Sequence, residues 1–472
     1  MLFNSAAFLI FFPVVTFLYF LLPFKIRWFW LLSASCFFYM FFKPEYILIL
    51  FFTIIIDFYA GLWLEKITDL NKRKRFLILS IIANVGVLAV FKYYNFLNDN
   101  ITGLALWLGF KNPIPYLDMI LPIGLSFHTF QAMSYTIEVY RGNQKAEKHF
   151  GIYALYVMFY PQLVAGPIER PQNILHQFYK KHLFDTQKAV EGLTLMLYGF
   201  FKKLVVADRL AVYVNQVYGD IEHASSISVA LACIFFSFQI YCDFSGYTDI
   251  ARGAARMMGY ELMLNFNRPY LATSIANFWS RWHISLSTWF RDYLYIPLGG
   301  NRCSKIKWYR NLSVVFLVSG LWHGANWTFV VWGALHACYT IFELVTKNTR
   351  IRFWQSIGLY QTKIMHACSV LFVFIAVTFA WIFFRAENIS QAWQVIHKLL
   401  AFDFTLNMAQ LTAEKGPLNL ALCFLSIVLL LLSYKLPINL KIKYPVSFAC
   451  ITIFIILLLG KNGSAEFIYF QF

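Results

Sequence analysis

"AAFLIFFPVVTFLYFLLPF", residues 6–24, runs nineteen positions without a charged side chain. About 20 predominantly apolar residues are what a helix needs to cross the hydrocarbon core of a bilayer. "NLALCFLSIVLLLLSY" (419–434) is a second run of the same kind near the other end. Between them the composition stays far from that of a soluble chain. Of 472 residues 60% are hydrophobic, 20% are aromatic with 51 phenylalanines, and only 13% are charged. Soluble domains carry roughly 25% charged residues, and surface-to-volume scaling leaves them no way to hide this much apolar area. The chain reads as an all-α polytopic membrane protein.

The start, "MLFNSAAFLIFF", lacks the basic segment of a cleavable signal peptide and leads into a span-length run, so it is read as a retained first span. The eight cysteines (Cys36, Cys233, Cys242, Cys303, Cys338, Cys368, Cys423, Cys450) lie mostly in apolar segments and form no CxxC pair. That spacing speaks against a disulfide framework and against zinc, and no metal is expected. The formal net charge is +17. Its basic residues flank apolar runs and show no recognition motif, so they read as topology signals and contacts to anionic membrane lipid rather than a nucleic-acid face.

About 11–13 membrane-embedded helices are expected, with re-entrant segments. The spans fall near 6–23, 28–42, 45–64, 76–96, 117–137, 187–208, 227–247, 311–346 (one or two), 365–385, 417–434 and 444–460. "NKRKR" (71–75) is the densest early basic cluster. By the positive-inside rule its loop is cytoplasmic, and the N-terminus is then outside. Loop 97–116 has a single lysine, Lys111, as an external loop should. "IYALYVMFYPQLVAGPIERP" (152–171) is short and holds Pro161, Gly166 and Pro167, so it is read as a re-entrant hairpin. That choice puts loop 209–226, with "YGDIEHASS", outside and the arginine-rich stretch 248–310 inside. "FFKKLV" (200–205) sets two lysines inside a predicted span and finds no place in this scheme. No internal repeat or linker divides residues 1–472, which are taken as one domain.

Residues 239–340 carry the chemistry. In "QIYCDFSGYTDIARGAARMMGYEL" (239–262), Asp243, Asp249 and Arg252 lie on an apolar background, with Asp249 and Arg252 at helical spacing. They read either as an ion pair locking a helix end or as the polar wall of a substrate passage. In "LNFNRPYLATSIANFWSRWHISLSTWFRDYLYIPLGGNR" (264–302), large residues from Phe278 to Tyr293 recur every three to four positions. This predicts one helix with Asn277 as its N-cap and with Arg281, Ser285 and Asp292 off the apolar stripe. His283 beside the stripe could be no more than an interfacial histidine. "SGLWHGANW" (319–327) then places His323 in apolar surroundings, where an imidazole must find a partner or cost free energy. In one continuous helix thirteen residues would separate His323 from His336 by about 20 Å, too far to share a metal. A break at Gly324 would bring them closer, but no carboxylate or cysteine is spaced to complete a ligand set. A neutral imidazole can instead take a proton from a hydroxyl near pH 7 without a cofactor. The glycines on both sides of Trp322–His323 would leave room for a ligand. No GxSxG elbow offers a serine nucleophile. Packing and catalysis both remain open for His323 at this point.

The two histidine segments in tandem resemble the membrane-bound O-acyltransferase family, in its bacterial alginate and peptidoglycan O-acetyltransferase branch, with teichoic acid D-alanyl transfer proteins more distant. "LPIGLSFHTFQAMSYTIEVYRG" (121–142), "FYPQLVAGPIERP" (159–171) and "YCDFSGYTDIARGAARMMGY" (241–260) agree, so the likeness covers about the first 345 residues. The resemblance implies a ring of tilted helices around a central tunnel and transfer of acetyl from a cytoplasmic thioester toward hydroxyls of an exported or cell-wall polysaccharide. It implies His323 and His283 as the catalytic pair. Candidates for the substrate tunnel are Asn277, Trp322, Asn326, Asp243, Arg281, His128 and His336; Glu169 and Arg170 could meet donor or lipid headgroup. It further implies no bound cofactor, a donor that is acetyl-CoA or an acyl-carrier thioester, an exported or membrane-anchored partner that completes transfer, and residence in the bacterial cytoplasmic (inner) membrane. A transporter or flippase is the rival, weakened by the lack of an inverted repeat and of a carboxylate pair within a span. A non-catalytic scaffold for a glycan-modifying partner is the third reading.

Overall fold

The computed structural model describes residues 1–118, 121–403, 417–436, 442–461 and 467–468, and among these every regular element is helical. Among the described residues five helices are long and apolar enough to cross a membrane: Tyr46–Lys66, Leu70–Trp107, Ser226–Met257, Trp327–Val345 and Lys363–Arg385. Ala6–Leu21, Pro417–Ser433 and Pro445–Leu459 are shorter and equally apolar. Their outward side chains are the kind that lipid must cover. Ile10 is 69% exposed and Leu457 80%, with Phe17, Leu418 and Phe454 also bare. The polytopic reading holds.

Several predicted boundaries move. "NKRKR" is not a loop, because Asp69 accepts the Asn71 and Lys72 amides and starts the helix at Leu70, ahead of the basic run. That helix continues through a π-helical turn, Ala89–Tyr93, to Trp107, so half of the expected loop 97–116 is helical. The predicted loop 209–226 is likewise helical as far as Gly219. The 311–346 stretch is two helices, Lys305–His323 and Trp327–Val345. Residues 119–120, in the predicted span 117–137, lie outside the described residues, and the helix there starts at Leu125 after Gly124 in the left-handed region.

The chain packs as two compact units. The first comprises Met1–Phe200, Tyr247–Met263 and Ile442–Ala449. Here the helix Leu125–Arg141 lies against Tyr46–Lys66 and Leu70–Leu88. Asp57 is fully buried among them, accepting from Ser80 Oγ at 2.6 Å and Asn84 Nδ2 at 2.9 Å. A buried carboxyl is tolerated in apolar surroundings only when bonded in this way. The predicted hairpin 152–171 is a broken element, Phe150–Met158 then Tyr160–Leu163, and residues 151–169 are all buried. Glu169 within it accepts the Met263 amide and the Asn173 side chain, and Asp249 and Arg252 pair at 3.7 Å.

The second unit comprises Phe201–Gly246, Leu264–Lys441 and Cys450–Phe472. It accounts for the two misfit lysines. "FKKLVVA" (201–207) is a π-helical stretch leading into Asp208–Gly219. Lys203 Nζ lies 2.8 Å from Asp208 and 2.7 Å from Asp243, all three side chains at most 8% exposed. The other Asp243 oxygen accepts the Ile468 amide at 2.7 Å. Lys202 reaches the Ser245 hydroxyl at 3.1 Å. Burying charge is costly unless it is paired, and this cluster pairs it.

A buried histidine site in the second unit

The single helix expected over 278–293 does not form. Ser274, not Asn277, is the N-cap: its side chain accepts the Asn277 amide, and the helix Ile275–Trp279 is little more than one turn long. The chain then breaks at Ser280–Trp282, resumes as Ile284–Phe290, and ends in a π-helical turn, Arg291–Tyr295. His283 stands at the break in the left-handed region, φ 42° and ψ 55°. A non-glycine residue there costs on the order of 1–3 kcal/mol and persists only where its surroundings overdetermine it.

Asn265 supplies that determination. Its carbonyl oxygen accepts the Ile284 amide at 2.9 Å. Its side-chain Oδ1 accepts the Ser285 amide at 3.1 Å and the Ser285 hydroxyl at 2.9 Å, and lies 3.2 Å from His283 Nδ1. An amide N–H can point only at an acceptor, so the Ser285 amide fixes which side-chain atom of Asn265 is oxygen. Two acceptors would repel at 3.2 Å, so Nδ1 of the neutral ring carries the proton. Nε2 is then left as the ring's acceptor. Asn265, His283 and Ser285 are all fully buried, and burial, opposed in small part by a backbone hydrogen bond, lowers the His283 pKa to about 3.

His323 is the last residue of Lys305–His323 and is 5% exposed. Rings of Trp322, Trp332 and Phe384 stand 4.9, 5.0 and 5.2 Å from it, centroid to centroid. Far apart in sequence, His283 and His323 meet on one residue: Trp322 lies 6.1 Å from the His283 ring as well. The flanking glycines serve packing rather than ligand access. A Cβ on Gly320 would collide with the Phe329 carbonyl, and one on Gly324 with the Phe329 ring. They allow the two helices of this hairpin to cross closely.

The remaining candidates are dispersed. His336 is fully buried behind the same tryptophan, 4.9 Å from Trp332, and boxed by Trp279, Phe278 and Phe316. Asn326 caps Trp327–Val345 through the Thr328 amide and donates to the Glu387 carbonyl at 2.8 Å. Asn277 reaches Ser280 at 3.3 Å, and Arg281 joins the local turns through its backbone, its carbonyl accepting the Asn267 amide. Asp243 is held by Lys203. His128, in the first unit, bonds Thr53 at 2.7 Å. Asn265 was not singled out from the sequence, since nothing in "LNFN" marks an asparagine that will orient a ring eighteen residues on. Lys203 was conspicuous only as a charge in the wrong place.

An all-helical membrane protein with two histidines buried against a shared tryptophan is the class defined by this fold and site. The chain belongs to the membrane-bound O-acyltransferase family, whose profile matches residues 149–386. It is 37% identical to a probable alginate O-acetylase of Azotobacter vinelandii over 420 residues, 88% of this chain and 81% of the relative. The corresponding Pseudomonas aeruginosa protein is 36% identical over 93% of this chain and 84% of its own length. A peptidoglycan O-acetyltransferase of Helicobacter pylori is 35% identical over 85% and 80%. The protein is thus a multi-pass membrane acyltransferase.

Proposed function

We propose that this acyltransferase moves acetyl from a thioester donor on the cytoplasmic side to hydroxyls of an exported or cell-wall polysaccharide, with His323 as general base. The observation that carries the reading is the convergence of His283 and His323 on Trp322. The imidazole of His323 takes the proton of an acceptor hydroxyl as its oxygen attacks the thioester carbonyl. Collapse of the tetrahedral intermediate breaks the C–S bond, and the proton passes to the departing sulfur. Aromatic walls keep water from competing for the acyl group. His283, with Nδ1–H committed to Asn265, offers Nε2 as an acceptor, which suits holding the acceptor hydroxyl better than polarising a carbonyl. The relatives' names, alginate O-acetylase and peptidoglycan O-acetyltransferase, support a glycan acceptor. The same reading places the chain in a bacterial inner membrane, N-terminus outside, beside an exported or membrane-anchored partner that completes the transfer.

The test is His323→Ala against wild type in a knockout host, scoring ester-linked acetate on extracellular and wall glycan at matched protein levels. Loss of acetate is expected, and the fraction that loses it names the acceptor. Unchanged acetate in His323→Ala and in the double variant that adds His283→Ala would leave a transporter or a scaffold instead.

A further inference from the structure

"FKIRW" (24–28) and "KKHLFDTQK" (180–188) are basic stretches far apart in the chain, and the first unit folds them together. Arg27 Nη1 donates to the His182 carbonyl at 2.6 Å, and the Phe20 and Phe184 rings stand 5.4 Å apart. Arg27 is 7% exposed. Its other bonds run to the Leu22 and Phe20 carbonyls, at 2.9 and 3.1 Å, and among the described residues no carboxylate pairs with it. Carbonyls satisfy its N–H groups but do not neutralise it, and a buried charge calls for a counter-ion. Lys180 and Lys188 belong to the same cluster. Burial first, and then the positive charges of Lys188, Lys180 and Arg27, lower the pKa of His182 against the hydrogen bond its ring makes with the Gln177 carbonyl. The nearby carboxylates are taken: Asp185 accepts the Gln187 and Lys188 amides, and Glu191 pairs with Arg256.

Phe20 and Phe184 also stand at one end of an apolar groove of about 760 Å³. One face of Ala6–Leu21 forms its first wall and the end of Thr186–Phe200 its second. Phe12 and Met196 are buried at its floor, and Phe17 and Leu193 are exposed at its rims. Thr16 is the one polar side chain that lines it. Close backbone packing holds the second wall. A Cβ on Gly192 would strike the Gly253 carbonyl, and one on Gly253 the Gly192 carbonyl. From Phe8 to Leu21 is thirteen residues, about 20 Å along the helix axis, against about 15 Å for half of the hydrocarbon core. An extended fatty acyl chain has a length of that order.

The two ends of the groove differ in charge. Arg27, Lys180 and Lys188 gather at the Leu21 end, and "MLFNS", ahead of the Phe8 end, has no charged side chain. By the positive-inside rule the cationic end faces the cytoplasm. We propose that the groove holds one acyl chain of an anionic phospholipid of the cytoplasmic leaflet, with its phosphate against Arg27, Lys180 and Lys188. A zwitterionic lipid would fill the apolar part equally well but would bring a cation of its own to that cluster. Each lysine close to an anionic headgroup strengthens binding about fivefold. The site uses neither His283 nor His323, so it stands apart from the acyltransferase reading.

The test is native mass spectrometry of the full-length protein in mild detergent, titrated with phosphatidylglycerol and phosphatidylcholine of identical chains. Wild type should bind one phosphatidylglycerol at least tenfold more tightly than phosphatidylcholine. Lys180→Glu/Lys188→Glu should lose that preference, and Lys180→Arg/Lys188→Arg should keep it. Leu193→Trp, which changes no charge, should weaken both lipids by filling the groove. Phosphatidylglycerol with a photoreactive group in its acyl chain should label residues 8–21 and 193–200. That labelling needs no substitution, so it decides the matter even where a variant does not fold. Equal binding of the two lipids by wild type, an undiminished preference in the charge-reversed variant, unchanged affinity in Leu193→Trp, or labelling elsewhere overturns the proposal and leaves ordinary annular lipid. Tighter binding of a polyprenyl phosphate that displaces the label overturns it too, since the occupant would then be an isoprenoid carrier.

Discussion

Replacing Lys203 by methionine removes a cation shared by two buried carboxylates. Lys203 lies 2.8 Å from Asp208 and 2.7 Å from Asp243, and the three side chains are 8%, 3% and 2% exposed. With Lys202 beside them the four charges sum to zero, so Lys203→Met leaves a net negative charge in surroundings that cannot solvate it. Breaking a buried pair from one side costs roughly 3–5 kcal/mol, whereas replacing all members by apolar groups of similar size is often neutral or better. Lys203→Met should therefore lower the thermal midpoint of the detergent-solubilised protein by many degrees. The quadruple variant Lys202→Met/Lys203→Met/Asp208→Leu/Asp243→Asn, which removes all four charges, should recover most of that loss, since the amide side chain placed at position 243 still offers an oxygen to the Ile468 amide. Unfolding is followed by the melting of the monodisperse size-exclusion peak, and glycan acetate is scored in parallel. A quadruple variant that is stable and active makes Asp243 a structural partner of Lys203 and removes it from the substrate path. Were Lys203→Met to melt with wild type, the reasoning about this cluster would be refuted.

Other perturbations bear on the histidine site directly. Gly320→Ala forces a methyl against the Phe329 carbonyl and should cost more than the ~1–3 kcal/mol typical of overpacking, because backbone cannot rotate away. Gly324→Ala, which meets only the Phe329 ring, should melt closer to wild type, and the reverse order would show that the hairpin crosses differently. Asn265→Ala strands the Ser285 amide and unlocks the His283 tautomer. A loss of one to two orders of magnitude in acetate transfer is expected, about 1.4 kcal/mol per factor of ten, with Asn265→Asp retaining more because it keeps the acceptor oxygen; equal activity of Asn265→Ala and wild type would dissociate Asn265 from the chemistry. Asn326→Ala should lose about 1 kcal/mol of stability as a cap yet keep transfer within a few-fold at matched protein level, and a far larger drop in transfer would restore Asn326 to the substrate path.

Composition alone determined that this chain lives in a membrane, because a run such as 6–24 has no stable alternative in water. The local motifs around His283 and His323 were legible too, since a polar ring in apolar sequence always demands an explanation. Periodicity failed at 278–293 for a physical reason. It registers which side chains are apolar but not the backbone break that Asn265, eighteen positions earlier, imposes on His283. The glycines beside His323 were equally visible as glycines, but whether they admit a ligand or a neighbouring helix depends on where Phe329 lies. Lys203 looked misplaced because its partners, Asp208 and Asp243, converge only through a π-helical turn and a second helix. Apolar patterning is a sum over single residues, and the sequence states it outright. Pairing, tautomer and close approach depend on which atoms of distant residues come within about 3 Å, and only the tertiary structure decides that.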